Sequence, residues 1–142
     1  MSYTITCRFY QCNTDAWFEM IEKTVWNYAN GGSWTEVNDK QVLTMGGSGT
    51  SGLLRFKCGD EYFIVALGVH NYKRWCDVST GLPSSDTACY IHPNYYNGGA
   101  GAGVREKQLS NFEATSPQGW KIKVDFNVSE GSNLECSICV SK

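Results

Sequence analysis

Residues 120–128 read Trp-Lys-Ile-Lys-Val-Asp-Phe-Asn-Val. Apolar and polar side chains alternate along this stretch, and a period of two indicates a β-strand that buries one face. Before it, residues 116–119 read Ser-Pro-Gln-Gly, with proline second and glycine fourth as in a type I turn. After it, residues 130–133 read Glu-Gly-Ser-Asn, and residues 134–140 alternate again. The two alternating stretches therefore predict a β-hairpin.

The same period of two runs through most of the chain. Residues 3–10 alternate in this way, and strands are also predicted at residues 18–28, 41–44, 53–58, 62–69 and 104–115. The last segment contains Arg-Glu-Lys-Gln-Leu, which also favours a helix, so its type stays open. Many short strands without an internal repeat predict one all-β domain over residues 1–142, either a sandwich or a barrel.

One segment departs from the β pattern. Residues 82–90 open with Pro, Ser and Asp, which is typical of a helix start, and Pro93 is expected to end that helix. We therefore expect a small helical insert in the β domain.

Composition excludes several classes of partner. The 142 residues carry 12 Lys and Arg against 14 Asp and Glu, a net charge of −2, which argues against nucleic acid and anionic lipid as partners. The longest apolar run, residues 62–67, is too short to span a membrane. Residues 1–8 have no secretory signal pattern, so we expect a cytoplasmic protein, unless it is released by an unconventional route.

The cysteines are better interpreted as reduced side chains than as a disulfide framework. There are seven, an odd number, and a reducing compartment favours small buried thiols. Cys136 and Cys139 form a CxxC spacing, but strand alternation puts them on opposite faces. With only two histidines in the chain, we expect no metal and no cofactor.

Three polar segments are candidates for function: residues 27–34, 45–52 and 69–77. The second is rich in glycine and serine but lacks the lysine and the following helix of a phosphate-binding loop. It is either a plain connection or a surface of neutral donors, including Ser48, Thr50 and Ser51, that suits a hydroxyl-rich ligand such as a sugar.

The third segment supports a sugar ligand. His70 and Asn71 offer directional hydrogen bonds, and Tyr72 and Trp75 offer flat faces for a sugar ring, although such aromatics more often belong to a core. An enzyme is disfavoured. Cys76 lies beside the acidic Asp77, which opposes a thiolate nucleophile, and no paired carboxylates for glycoside hydrolysis are evident.

Long strings within these segments resemble the fungal fruit-body lectin family. They are residues 28–34, 43–52, 68–77, 94–96, 105–109 and 130–135, and the likeness runs essentially end to end. The resemblance implies an antiparallel β-sandwich of two sheets joined by a short helix-loop-helix, similar to actinoporin toxins. It also implies a homotetramer and metal-independent binding of glycans, with two sugar sites per subunit.

The first implied site recognises the disaccharide Galβ1-3GalNAc, the Thomsen–Friedenreich antigen. Its positions fall on Ala29, Ser48, Gly49, His70 and Asn71. The resemblance implies that Ser48 and Asn71 bond sugar hydroxyls and that His70 meets the galactose. The Gly49 N–H and the Ala29 backbone are expected to orient the ring.

The second implied site recognises terminal N-acetylglucosamine. Its positions fall on Asp77, Val78, Thr80, Gly101 and Phe112. The family has an arginine where Gly101 stands and a tyrosine at Phe112, so two side-chain donors are missing here. One lost hydrogen bond costs about 0.5–1.5 kcal/mol, a few-fold to tenfold in affinity. We therefore expect this site to be weakened or altered, with Arg105 as an alternative donor.

The alternative function is a membrane-active, pore-forming protein with the similar actinoporin fold. That function requires an amphipathic helix at the N-terminus that can insert into a bilayer. Residues 1–10 alternate like a strand instead, which counts against this alternative.

Overall fold

The computed structural model of the chain describes residues 1–12, 16–28 and 30–142. The strands of this part are β1 (Tyr3–Gln11), β2 (Glu19–Trp26), β3 (Gly32–Val37), β4 (Lys40–Met45), β5 (Ser51–Cys58), β6 (Glu61–His70), β7 (Lys73–Thr80), β8 (Asn111–Thr115), β9 (Lys121–Val128) and β10 (Asn133–Ser141). Between β7 and β8 lies a helical insert. It comprises α1 (Ala88–Ile91), a 3-10 helix (His92–Tyr95) and α2 (Ala102–Lys107).

The strands form two sheets. The larger has the order β3-β4-β1-β10-β9-β8, and the smaller has the order β2-β5-β6-β7. The predicted β-sandwich with a short helical connection is confirmed, and antiparallel pairing holds for every described neighbour pair except one. In that exception β1 and β10 run parallel, from Thr4 opposite Asn133 to Gln11 opposite Val140. These two strands are the first and last of the chain, so no hairpin dictates their direction.

A main core fills the space between the sheets. Along β9, Ile122, Val124 and Phe126 are buried while the residues between them are exposed, as the period of two predicts. These side chains pack with residues of the smaller sheet such as Leu54 and Phe63. Burial of this apolar surface is the main stabilising contribution to the sandwich.

A second core lies on the outer face of the smaller sheet, beneath the insert. Leu53, Ile64 and Trp75 pack there against Tyr95 and Tyr96 of the insert segment. Strands β5 and β6 are therefore covered on both faces, which explains their nearly unbroken runs of buried residues. This core corrects one expectation, because Trp75 is fully buried and offers no face to a sugar.

The insert differs in detail from the prediction. Helix α1 begins only at Ala88, where the Thr87 side chain accepts a hydrogen bond from the Tyr90 N–H. Helix α1 ends at Ile91, just before Pro93, as expected, and Pro93 itself occupies the first turn of the 3-10 helix, where its missing N–H costs nothing. The ambiguous segment 104–115 contains both predicted types: α2 ends before Gln108, whose φ is +49°, and β8 follows.

Candidate functional site

A cavity of about 310 Å³ lies where the β4–β5 loop, the β6–β7 turn and the insert meet. It is lined by Tyr28, Ser48, Gly49, His70, Asn71, Tyr72, Tyr96 and Arg105. Four of the five positions predicted for the first sugar site therefore surround one space. The fifth, Ala29, lies outside the described residues.

The β6–β7 turn presents Asn71 and Tyr72. His70 pairs with Lys73, so the loop has two residues, and both have positive φ, +48° for Asn71 and +67° for Tyr72. Positive φ at both positions is the type I′ hairpin turn, which asparagine tolerates well and tyrosine does not. The Tyr72 N–H donates to Ser48 Oγ at 3.0 Å, which ties the turn to the β4–β5 loop. Ser48 still has its own hydroxyl proton to donate to a ligand.

Gly49 is held in a conformation with φ +104°, and a Cβ there would lie 2.4 Å from the Tyr28 ring. Only glycine fits this position. The expected role of its N–H is wrong for this structure, because that group already donates to the Val69 carbonyl at 2.8 Å. Gly49 therefore lets the backbone lie close to the cavity and the Tyr28 ring, but its N–H is not free to bind a ligand.

Arg105 determines which ring nitrogen of His70 carries the proton. The Arg105 Nη1 lies 3.1 Å from His70 Nδ1, and because a guanidinium can only donate, Nδ1 must accept and the ring proton sits on Nε2. Burial and then the Arg105 charge lower the pKa of His70, so the ring is neutral near pH 7. The Asn71 amide nitrogen lies 3.4 Å from Nε2, where it would meet the ring proton donor to donor. The favourable amide orientation turns Oδ1 to the Nε2 proton and leaves the amide N–H groups for a ligand.

The end of α2 braces this arrangement. The Gln108 Nε2 donates to the His70 carbonyl at 2.6 Å, and the Arg74 Nη1 donates to the Gln108 carbonyl at 2.8 Å. The Arg105 guanidinium lies 4.4 Å above the Tyr96 ring, in a cation–π contact. Arg105 thus belongs to the first cavity, which corrects its assignment as a substitute donor in the second site.

A buried polar network forms the floor beneath the cavity. Ser51 Oγ lies 2.9 Å from His92 Nε2 and 2.7 Å from the Tyr96 hydroxyl, and Thr24 Oγ1 lies 2.8 Å from His92 Nδ1. Burial lowers the pKa of His92 to about 4, so this ring is also neutral. Thr50 and Ser51 are fully buried in the floor rather than exposed to a ligand as we expected.

The predicted second site has a different character. Asp77 on β7 accepts a hydrogen bond from the Tyr95 hydroxyl at 2.7 Å, and burial raises the pKa of its carboxyl group. Val78 is 5% exposed and packs into the main core, so it has only backbone atoms to offer a ligand. Thr80, at the end of β7, is half-buried. The polar side chain of Asp77 is therefore already hydrogen-bonded within the protein.

Gly101 and Phe112 complete the predicted second site. Gly101 caps the start of α2, and a Cβ there would lie 2.8 Å from the Tyr95 ring, so a larger side chain requires that ring to move. Phe112 on β8 is half-buried against the main core. Neither residue supplies a side-chain hydrogen-bond donor.

Cys76 is not placed to act as a nucleophile. Cys76 is buried in the main core, where its Sγ donates to the Leu109 carbonyl at 3.5 Å. Burial and the neighbouring Asp77 raise the pKa of its thiol to about 12, so Cys76 is protonated at neutral pH. In residues 1–12, 16–28 and 30–142, no cluster of three or more His, Cys, Asp or Glu side chains is placed to hold a metal ion.

A two-sheet sandwich whose loops and helical insert enclose a polar cavity, lined by neutral side chains and the cationic Arg105, is typical of a binding protein. The sequence profile of the fungal fruit body lectins matches residues 1–138. The chain is 52% identical to the Boletus edulis lectin of Boletus edulis, over 99% of this chain and 100% of that protein. Crystal structures of the Xerocomus chrysenteron lectin superpose with a TM-score of 0.96, both for the wild type, at 54% identity, and for a mutated form, at 55%.

Coverage in both crystal-structure comparisons is nearly complete. The wild-type lectin matches 99% of this chain and 99% of its own, and the mutated form matches 99% and 98%. The chain belongs to the fungal fruit body lectin family and is a carbohydrate-binding lectin.

Proposed function

We propose that the cavity between Ser48, His70 and Asn71 binds the disaccharide Galβ1-3GalNAc. The observation that carries the proposal is that four of the five predicted residues line one space, with their polar side chains in neutral states. Its volume of about 310 Å³ lies at the lower end of the range for small-ligand sites.

The chemistry of the lining suits a neutral sugar. Ser48 has a hydroxyl and Asn71 has free amide N–H groups, and these groups match sugar hydroxyls as donors and acceptors. Tyr28 and Tyr72 are 61% and 78% exposed and offer flat faces to the C–H side of a sugar ring. None of the described residues that line the cavity is acidic, so the carboxylate pair of a glycosidase is not formed there.

For the region around Asp77 we propose weakened or altered binding of N-acetylglucosamine. The support is the absence of a side-chain donor at Gly101 and Phe112, together with the internal bond of Asp77 to Tyr95. We also propose the homotetramer that the family resemblance implies. Sedimentation equilibrium tests it, with a tetramer mass expected and a monomer mass contradicting it.

The pore-forming alternative has no support in the structure. Tyr3–Gln11 form β1, which lies inside the larger sheet between β4 and β10, and not an amphipathic helix. In the described part of the chain, none of the helices has the length and apolar character needed to cross a membrane.

A glycan array tests the proposed disaccharide directly. We expect the strongest signals on glycans that end in Galβ1-3GalNAc and their loss when free disaccharide is added. Ser48→Ala should reduce those signals several-fold through one lost hydrogen bond, whereas Ser85→Ala, an exposed serine before α1, serves as the matched control. Signals confined to unrelated glycans, or a Ser48→Ala protein that binds like the control, would contradict the assignment.

A further inference from the structure

Two cysteines lie close together outside the sugar-binding regions. Cys12, just after β1, and Cys139, on β10, have Sγ atoms 2.8 Å apart, and neither is bonded to another sulfur. Cys12 is exposed and Cys139 is half-buried. The pair therefore combines close approach with access from solvent.

The backbone holds this pair in place. In the parallel ladder of β1 and β10, Tyr10 is the partner of Cys139, which puts Cys12 two residues further along the neighbouring strand. The Cys12 N–H continues the ladder by donating to the Val140 carbonyl at 2.7 Å. Strand pairing thus holds the two backbones at a separation from which the sulfurs can meet.

We propose that Cys12 and Cys139 form a site of covalent modification, which low-molecular-weight disulfides such as glutathione disulfide oxidise to an intramolecular disulfide bond. The bond joins the ends of the first and last strands. It closes a loop that contains almost the whole chain, a constraint that acts mainly on the unfolded state. The proposal is independent of the sugar sites.

The reaction balances in two exchange steps. The Cys12 thiol loses its proton to solvent and its sulfur attacks one sulfur of glutathione disulfide, forming a mixed disulfide and releasing one glutathione thiolate, which takes up a proton. The Cys139 thiol then loses its proton, attacks the Cys12 sulfur and releases the second glutathione. The two cysteines are oxidised by two electrons in total, and glutathione disulfide is reduced to two glutathiones.

The exposed Cys12 is the point of entry in this scheme. Burial and the neighbouring Cys12 raise the pKa of Cys139 to about 11, opposed by Lys123 on β9, so Cys139 waits as a thiol until the mixed disulfide has formed. Once it has formed, closure is intramolecular and needs little movement, because the sulfurs already lie 2.8 Å apart.

A second cysteine pair shows why access matters. Cys7 and Cys136 are directly opposite each other in the same ladder, but each is 2% exposed and faces the main core. An oxidant in water does not reach them while the protein is folded. Cys89, by contrast, is exposed on α1 and serves as a control for accessible thiols.

Mass spectrometry of the intact protein tests the proposal. The reduced, folded chain is incubated at micromolar concentration with millimolar glutathione disulfide at pH 8.5 and digested without reduction. Apart from any glutathione added to the exposed Cys89, we expect a loss of about 2 Da, since two hydrogen atoms leave, and a peptide pair linked through Cys12 and Cys139. Cys12→Ser and Cys139→Ser should abolish the linked pair, the latter retaining glutathione on Cys12, whereas Cys89→Ser should leave it intact.

Thermal unfolding gives a second readout. The oxidised wild type should melt roughly 5–15 °C above the reduced form, and the shift should be absent in Cys12→Ser. A wild type that carries glutathione on Cys12 but forms no internal link would overturn the proposal. So would a link that joins Cys12 to another cysteine.

Discussion

The two regions that the sequence marks as sugar sites differ in what their polar groups already do. Around Ser48, His70 and Asn71, internal hydrogen bonds fix each group in place and still leave donors directed to a cavity. Around Asp77, the carboxylate is occupied by the Tyr95 hydroxyl and its neighbour Val78 is buried in the core. Polar groups that are held in place and keep free donors are better suited to bind a sugar than groups already bonded inside the protein.

The largest effect is expected in the floor of the first cavity. The pKa of His92 is lowered from 6.5 to about 4, so the unfolded chain takes up this proton first as the pH falls. Stability therefore declines from about pH 6.5 and loses roughly 3 kcal/mol by pH 4 through this group. Urea unfolding at pH 7 and pH 4 measures it, and His92→Gln, which does not titrate, should show a smaller loss. Equal losses in the two proteins would exclude His92 as the cause.

The next effect concerns the β6–β7 turn. Asn71→Ala removes the amide from the first cavity and should weaken disaccharide binding by roughly 1–3 kcal/mol, about fivefold to 150-fold. Because Asn71 has φ +48°, alanine also strains the turn, so Asn71→Gly is the control that accepts this backbone. Calorimetric titration should show the loss in both variants. Retained binding in Asn71→Gly would mean that the turn, and not the amide, matters.

The third effect tests the contact between α2 and His70. Arg105→Met removes the guanidinium that holds Nδ1 as an acceptor and should weaken disaccharide binding roughly tenfold. It also removes a positive charge that lowers the pKa of His70, so binding should weaken further between pH 7.5 and 5.5. Lys107→Met, exposed at the end of α2, is the matched control. A variant that binds like the wild type at every pH would remove Arg105 from the site.

The smallest effect is expected in the second region. Phe112→Tyr restores one hydroxyl and should raise the affinity for N-acetylglucosamine a few-fold, leaving disaccharide affinity unchanged. Gly101→Arg is less suitable for restoring a donor, because a Cβ at this position would collide with the Tyr95 ring. Parallel titrations of both sugars measure the effect. An affinity for N-acetylglucosamine that does not change would place residue 112 outside any sugar site.

The sequence best predicts strands that have one buried face and one solvent-exposed face. Strand β9 follows its alternation residue by residue, whereas the sequence pattern does not indicate β3, a mostly exposed edge strand. It does not indicate β7 either, because the residues of β7 belong to a polar motif. The parallel pairing of β1 with β10 joins the two ends of the chain, and no local pattern encodes it.

The candidate site divides in the same way. The grouping of Ser48, His70 and Asn71 could be predicted, because their side-chain chemistry and the family resemblance both point to a sugar site. The contact of Arg105 with His70 could not be predicted, because it depends on how α2 packs against β6 and β7. Nor could the hydrogen bond of the Gly49 N–H be predicted, because its acceptor is the Val69 carbonyl on β6, a residue distant in sequence.

Calorimetric titration of the wild type with Galβ1-3GalNAc and, separately, with N-acetylglucosamine tests the central contrast most directly. The braced cavity should bind the disaccharide with a lower Kd than the Asp77 region binds N-acetylglucosamine. Equal affinities, or tighter binding of N-acetylglucosamine, would contradict the account.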